Sequence, residues 1–252
     1  MKAKTKITTL AAATFFAAGI IFLTACQKDS STVTPANTQA VTDLARQDRS
    51  VIFPIQANMY GKTYPEWVAE FWKWNLQFDC DHVPLRDVDG SRESQNQSGP
   101  VFFLSGRRGN TLSVTVPADK SIFIPLITFE ADFPCSDNGD PAPGETIEHF
   151  LTSIASTNAD AMDQLLFTID GVPVNNLSDY KIISPMFSIA ANSDLANCFD
   201  NCITGTAQQF VASGYFLMLK PLSPGQHVIR RVGGASAFFP FVYDNTYNIT
   251  QL

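Results

Sequence analysis

The chain has 252 residues, 45% of them hydrophobic, with a formal net charge of −7 and a pI near 4.9. That acidic balance excludes a nucleic-acid binder, whose phosphate contacts need a basic face, and it excludes electrostatic docking on anionic lipid. Twenty Phe, six Tyr and three Trp are ample for a hydrophobic core, and no internal repeat is visible.

The first 26 residues read as three regions. Lys2, Lys4 and Lys6 are followed by Ile7–Leu23, interrupted only by Thr8, Thr9 and Thr14, and then by Leu23-Thr24-Ala25-Cys26. A positive start, a short apolar core and small residues at a cut site make a secretory signal. The uninterrupted stretch Phe15–Leu23 is short of the roughly 20 apolar residues that span a bilayer. Leu-Thr-Ala-Cys resembles the lipobox of bacterial lipoproteins. The resemblance implies cleavage before Cys26 and acylation of its sulfur, palmitate being a typical chain. Multiple acyl chains hold a protein on a membrane stably where one alone is marginal. Gln27-Lys28-Asp29-Ser30-Ser31 resembles the export tag of surface lipoproteins of the Bacteroidetes group, and Gln27 by the same resemblance favours the outer membrane. The expected organisation is a signal peptide at 1–25, a lipidated flexible tether at 26–50, and a single β-rich domain at 51–252 facing the periplasm or the cell surface. Loss of the leader leaves 14 basic against 24 acidic side chains, −10 overall.

Cys80, Cys135, Cys198 and Cys202 remain after Cys26. An even count in an exported chain reads as two disulfides. Four cysteines allow three pairings. The short spacing in Cys-Phe-Asp-Asn-Cys favours Cys198–Cys202, which leaves Cys80–Cys135. No histidine near the 198/202 pair supports a zinc site.

In chain order, residues 63–78 form the best helix. Thr63 and Glu66 match a capping box. At 100° per residue Tyr64, Trp67, Val68, Phe71, Trp72, Trp74 and Phe78 share a broad apolar face, with Trp72 at its edge and so less buried than Trp67 and Trp74. Asn75 falls inside the apolar arc and needs partners there, expected from the backbone of a neighbouring strand. Beyond Asp79 the pattern turns to period two. Strands are expected at Val101–Leu104, Thr111–Val116, Ile122–Phe129, Leu165–Asp170, Val172–Val174, Ile182–Ala190, Tyr215–Lys220, Gln226–Val232 and Tyr243–Leu252. A second helix is expected at Glu145–Ala155, where Ile147, Phe150, Leu151 and Ile154 have helical spacing. This order gives a mainly β fold, a β-sandwich or jelly roll with an aromatic-rich N-terminal helix and a second short helix; a closed barrel is the alternative.

Several blocks carry a further resemblance. They are Gly61-Lys62-Thr63-Tyr64-Pro65-Glu66-Trp67 with Phe71-Trp72-Lys73-Trp74, Gln97–Leu104, Val116–Pro125, Ile169–Val174 and Leu222–His227. Together they resemble an uncharacterised family of secreted bacterial proteins over most of residues 60–250. That resemblance implies no activity.

No nucleophile elbow, phosphate loop or zinc-protease helix is present. His82, His149 and His227 are scattered. The carboxylates are not: residues 79–148 hold twelve acids against Arg86, Arg92, Arg107, Arg108 and Lys120. Asp87, Asp89, Asp137 and Asp140 lie in oxygen-rich, Gly-turned loops of a kind that suits Ca2+, although neither loop completes the twelve-residue calcium pattern. The proposed Cys80–Cys135 bridge would draw these loops together. No other cofactor is expected. Glu130 ends the most apolar strand, where burial would raise its pKa as a general acid requires. Its alternatives are an ion pair with Arg107 or Arg108, or a partnership with Asp87 or Asp132 in glycoside hydrolysis. Two functions follow. The leading one is a non-catalytic binding module, held to the membrane by its lipid, for a glycan or a protein partner. The competing one is a carboxylate-dependent hydrolase acting on polysaccharide.

Overall fold

The computed structural model describes residues 51–237 and 240–252. These fall within one compact unit. The signal, Cys26 and the tether lie outside the described residues.

The aromatic helix is α1, Tyr64–Leu76. Its start follows the capping box: the Glu66 carboxylate accepts the Thr63 backbone N–H at 2.7 Å and the Thr63 hydroxyl at 2.8 Å. Tyr64, Val68 and Phe71 are wholly buried. The expected ranking of the tryptophans does not hold, because Trp72 is 2% exposed against 7% for Trp67. Trp72 donates its indole N–H to Thr128 Oγ1 at 3.1 Å and packs on Phe199, so a loop covers the edge of the stripe. Asn75 is also corrected. Its Nδ2 donates to the Phe71 carbonyl one turn back in the same helix, not to a strand, and its Oδ1 has no partner.

Two five-stranded sheets form a β-sandwich. The first contains β1 (Val101–Phe103), β3 (Ser121–Phe133), β8 (Ala207–Leu219) and β6 (Lys181–Ile183), with β7 (Phe187–Ala190) beside the other end of β8. The second runs β2 (Thr111–Val116), β10 (Phe241–Gln251), β9 (Gly225–Ala235), β4 (Gln164–Ile169) and β5 (Val172–Pro173). The pairs β1–β3 and β2–β10 are parallel; the rest are antiparallel.

Alternation along the strands sets the layers. Ile122, Ile124, Leu217 and Leu219 of the first sheet meet Leu112, Val114, Phe167, Ile229, Tyr247 and Ile249 of the second. Phe123, Phe210, Phe216 and Met218 point the other way and bury α1. Further along β3 and β8, Ala131 and Val211 pack against Leu151 and Ala155 of α2 (Ile147–Asp160). The long central strands thus carry the second sheet, α1 and α2 together.

Three of the differences from the expected boundaries have a visible physical cause. β3 runs on past Phe129, because Ala131 still packs on α2 while Glu130 and Asp132 point to the opposite face. β8 begins eight residues before Tyr215. Its Ala212-Ser213-Gly214 lacks strand propensity, but Gly214 is required, since a Cβ there would lie 2.3 Å from the Ile127 carbonyl. Residues 182–190 split into β6 and β7 around Pro185, which has no backbone N–H to donate.

All four later cysteines are in disulfides, but the pairing is Cys80–Cys198 and Cys135–Cys202. The short 198–202 loop is not closed on itself. Each end is bridged to a different segment, so residues 199–201 are held from both sides. Peptide mapping without reduction should recover 80–198 and 135–202 linked peptides. A closed 198–202 peptide with an 80–135 link would contradict this arrangement.

Candidate functional site

The register of β3 shifts between Pro125 and Ile127, a bulge in its pairing with β8. A bulge bends the strand and frees backbone groups from the ladder. Here the freed group is the Pro125 carbonyl, and Arg231 of β9 reaches across from the second sheet to donate to it and to the Ser105 carbonyl. Ile229 and Arg231 are two apart and share the inward face of β9. Arg231 is 6% exposed. Tyr247 donates to the same Ser105 carbonyl at 2.6 Å and lies 5.5 Å from the guanidinium. Behind it the buried Glu93 accepts the Ser105 N–H at 2.8 Å. Burial pushes Glu93 up to about 8, with Asp87 adding to the rise and the Ser105 amide and Arg231 opposing it. Burial therefore favours the protonated form of Glu93.

A cleft of about 390 Å3 opens over the bulge. Trp72, Phe199 and Tyr243 form its aromatic walls, and Arg86, Arg107, Arg108 and Arg231 its polar ones. No acidic residue lines it. Arg86 donates to the Cys198 carbonyl at 2.9 Å, and Arg108 lies 5.4 Å from the Tyr243 ring. The loop carrying Arg107 and Arg108 is held through its backbone. The Arg107 carbonyl accepts from Asn245 and Asn110, and the Arg107 N–H donates to the Asp87 carbonyl. Among the described residues none of these four arginines is in an ion pair.

Glu130 and Asp132 are two apart on β3 and share the face that buries α1. Beneath the disulfide-held segment they meet Asp200. Among the described residues, the one group of potential ligand atoms within 4.8 Å of one another is Asp132, Cys135, Asp200 and Cys202. The two cysteines are in a disulfide and offer no thiolate, so two carboxylates remain, few for a hard cation that takes six to eight oxygens. Asp132 is buried and accepts from Gln208 and Asn138. Burial, with Asp200 adding to it, raises Asp132 to about 7. Burial raises Glu130 well above the usual carboxylate range, and Asp200 and Asp132 push the same way. Burial and the two neighbouring carboxyl groups thus favour the neutral acid at Glu130.

The other expected site residues fall elsewhere. Asp87 does not join Glu130. Its carboxylate accepts the backbone N–H groups of Asp89, Gly90 and Arg92 at 2.9–3.2 Å and so builds its own loop. Asp89 accepts from Ser91 and Asp137 lies beside Ser136. Asp140 borders a hollow beside the Cys135–Cys202 bridge. The four aspartates are not collected into one ligand group. Arg107 and Arg108 do not pair with Glu130; they face the cleft. From sequence, Arg86, Arg107 and Arg108 counted as minority bases of an acidic segment, the last two also as possible partners of Glu130, and Arg231 was not singled out. The dipeptide Arg107-Arg108 before Gly109 was the available signal, and Arg231 two residues after Ile229 on a half-buried strand was another.

One histidine has triad-like neighbours. His227 Nδ1 lies 2.7 Å from Asp170, and Nε2 lies 2.8 Å from the Ser223 carbonyl and 3.3 Å from its hydroxyl. Acceptors on both sides favour the imidazolium, which cannot take a proton from Ser223. Burial opposes that charge, but Asp170 and the Ser223 carbonyl outweigh it, and the pKa of His227 is raised. The residue is a clamp between two turns.

Compared with known proteins, the chain matches no family model, no curated protein and no solved structure.

These shifts share one sign. Asp132 goes from 3.8 to about 7 and Glu93 from 4.5 to about 8, while Glu130 and His227 also rise. A raised folded-state pKa means that the folded state binds protons more tightly, so stability is full below the unfolded pKa and is lost as pH rises through the folded one. The melting temperature should fall steadily from pH 5 to pH 9, and Asp132→Asn should flatten the lower part of that fall. A melting temperature that rises over this range would contradict the assignment.

Proposed function

We propose that the chain is an outer-membrane lipoprotein, anchored through Cys26, whose β-sandwich binds a glycan without transforming it. The observation that carries the reading is the open cleft at the β3 bulge, with Trp72, Phe199 and Tyr243 on its walls. Aromatic rings offer flat apolar faces to sugar rings, and the surrounding arginines and backbone groups offer donors to hydroxyls. The volume, about 390 Å3, suits a few sugar units and not a protein surface. The leader, the lipobox-like Leu23–Cys26 and the polar tether support placement at a membrane surface. Among the described residues no helix is long and apolar enough to cross a membrane.

The hydrolase reading draws on the raised pKa of Glu130 and Asp132. It needs two carboxyl groups about 5–9 Å apart across an accessible bond. Neither residue lines the cleft; both face Asp200 under a loop tied down by two disulfides. The binding reading therefore fits the positions of these groups better.

Probing a glycan array with the full-length chain in detergent tests this. Phe199→Ala and Tyr243→Ala should each weaken binding by about tenfold, the loss expected for one stacked ring. Glu130→Gln should bind as the parent does. Turnover of a bound oligosaccharide that Glu130→Gln abolishes would replace this reading with the hydrolase.

A further inference from the structure

We infer that the glycan bound in the cleft is acidic, with a carboxylate or sulfate group seated between Arg107, Arg108 and the buried Arg231. This inference rests on the binding reading above and adds the class of ligand.

The argument is one of charge placement. The protein is acidic overall, yet its cleft collects four of its seventeen basic side chains with no acid among the lining residues. Solvated surface arginines usually sit among carboxylates. Behind Arg231 lie Glu93, whose burial favours the protonated form, and Asp87, whose carboxylate is taken up by three backbone N–H groups of its own loop. Arg231 spends its terminal nitrogens on the Pro125, Ser105 and Gly106 carbonyls, while its Nε is buried and has no partner. Arg231 is thus more than nine-tenths buried and keeps a donor without a partner, which an arriving anion would supply. Arg107 and Arg108 stand at the mouth on a loop fixed through its carbonyls, so their guanidinium groups are left for a ligand. Planar guanidinium forks match carboxylate and sulfate oxygens two at a time.

The positions of the rings complete the match. Arg108 already lies over Tyr243, so an acidic group drawn to Arg108 would place its own sugar ring beside Tyr243. A neutral glycan could use the aromatic walls but would bring no counter-ion to the arginines that line the cleft. An acidic one satisfies both sets of groups at once.

The test compares oligogalacturonate with the same oligomer methyl-esterified at every carboxyl, alongside neutral and sulfated oligosaccharides on one array. The full-length chain is set against Arg107→Gln/Arg108→Gln, both exposed positions, with its melting temperature compared with the parent's to show that it folds. The inference expects carboxylated or sulfated members to bind, at least about tenfold more weakly to the double variant and about tenfold more weakly after esterification. Affinity should also fall as salt rises from 50 to 300 mM, roughly as screening of exposed charges requires. Neutral members that bind equally to parent and double variant, and lose binding in Phe199→Ala, would overturn the acidic ligand and leave the glycan reading standing. No binding to any member would overturn both.

Discussion

The burial of one positive charge between the two sheets organises this molecule. Arg231 comes from β9, crosses the sandwich and ends on carbonyls that the β3 bulge and the turn after β1 have left free. A proline at position 125 makes the bulge natural, because that residue has no N–H for the ladder. Gly233, two residues on from Arg231, lets β9 come close enough, since a Cβ there would lie 2.6 Å from the Leu126 carbonyl. Ser105 then serves as a junction. Its carbonyl accepts from Arg231 and Tyr247, and its N–H donates to Glu93. The cleft is the outer surface of this junction, and Arg231, one of its four arginines, is held there by the bulge.

The two disulfides shape the other side of the same region. Cys198 and Cys202 tie a short segment to Cys80 and Cys135, so Phe199 is pressed on Trp72 and Asp200 is pressed towards Glu130 and Asp132. Phe199 is a cleft wall because of this clamp. Burial raises the pKa of Glu130 and Asp132, which links the stability of the clamped segment to pH.

Much of the fold was legible from periodicity. β2 matches Thr111–Val116 residue for residue, with every second side chain buried, and the capping box placed the start of α1. What escaped notice depended on contacts distant in sequence. The Ala-Ser-Gly stretch at 212–214 looks like a break, but its small side chains are imposed by the bulge opposite. The cysteines pair across 118 and 67 residues instead of across the near neighbours that loop length favours. Of the site, Glu130 with Asp132 was legible as one of two possible carboxylate pairs, although the expected strand stopped at Phe129, whereas Asp200 was not, since only the clamp brings it there. The cleft was invisible for the same reason: Arg86, Arg107 and Arg231 come from three separate elements, and an acidic composition directs attention to carboxylates.

The account turns on Arg231 being a tie between the sheets and not a passive buried charge. The unfolding free energy of Arg231→Met, measured in urea against the parent at pH 7, tests this most directly. Methionine fills much of the space but cannot donate, which strands the Pro125 carbonyl. A loss of about 1–3 kcal/mol is expected for a buried acceptor left unpaired. An unchanged or higher stability would show that the sandwich closes at the bulge without Arg231, and would contradict the account.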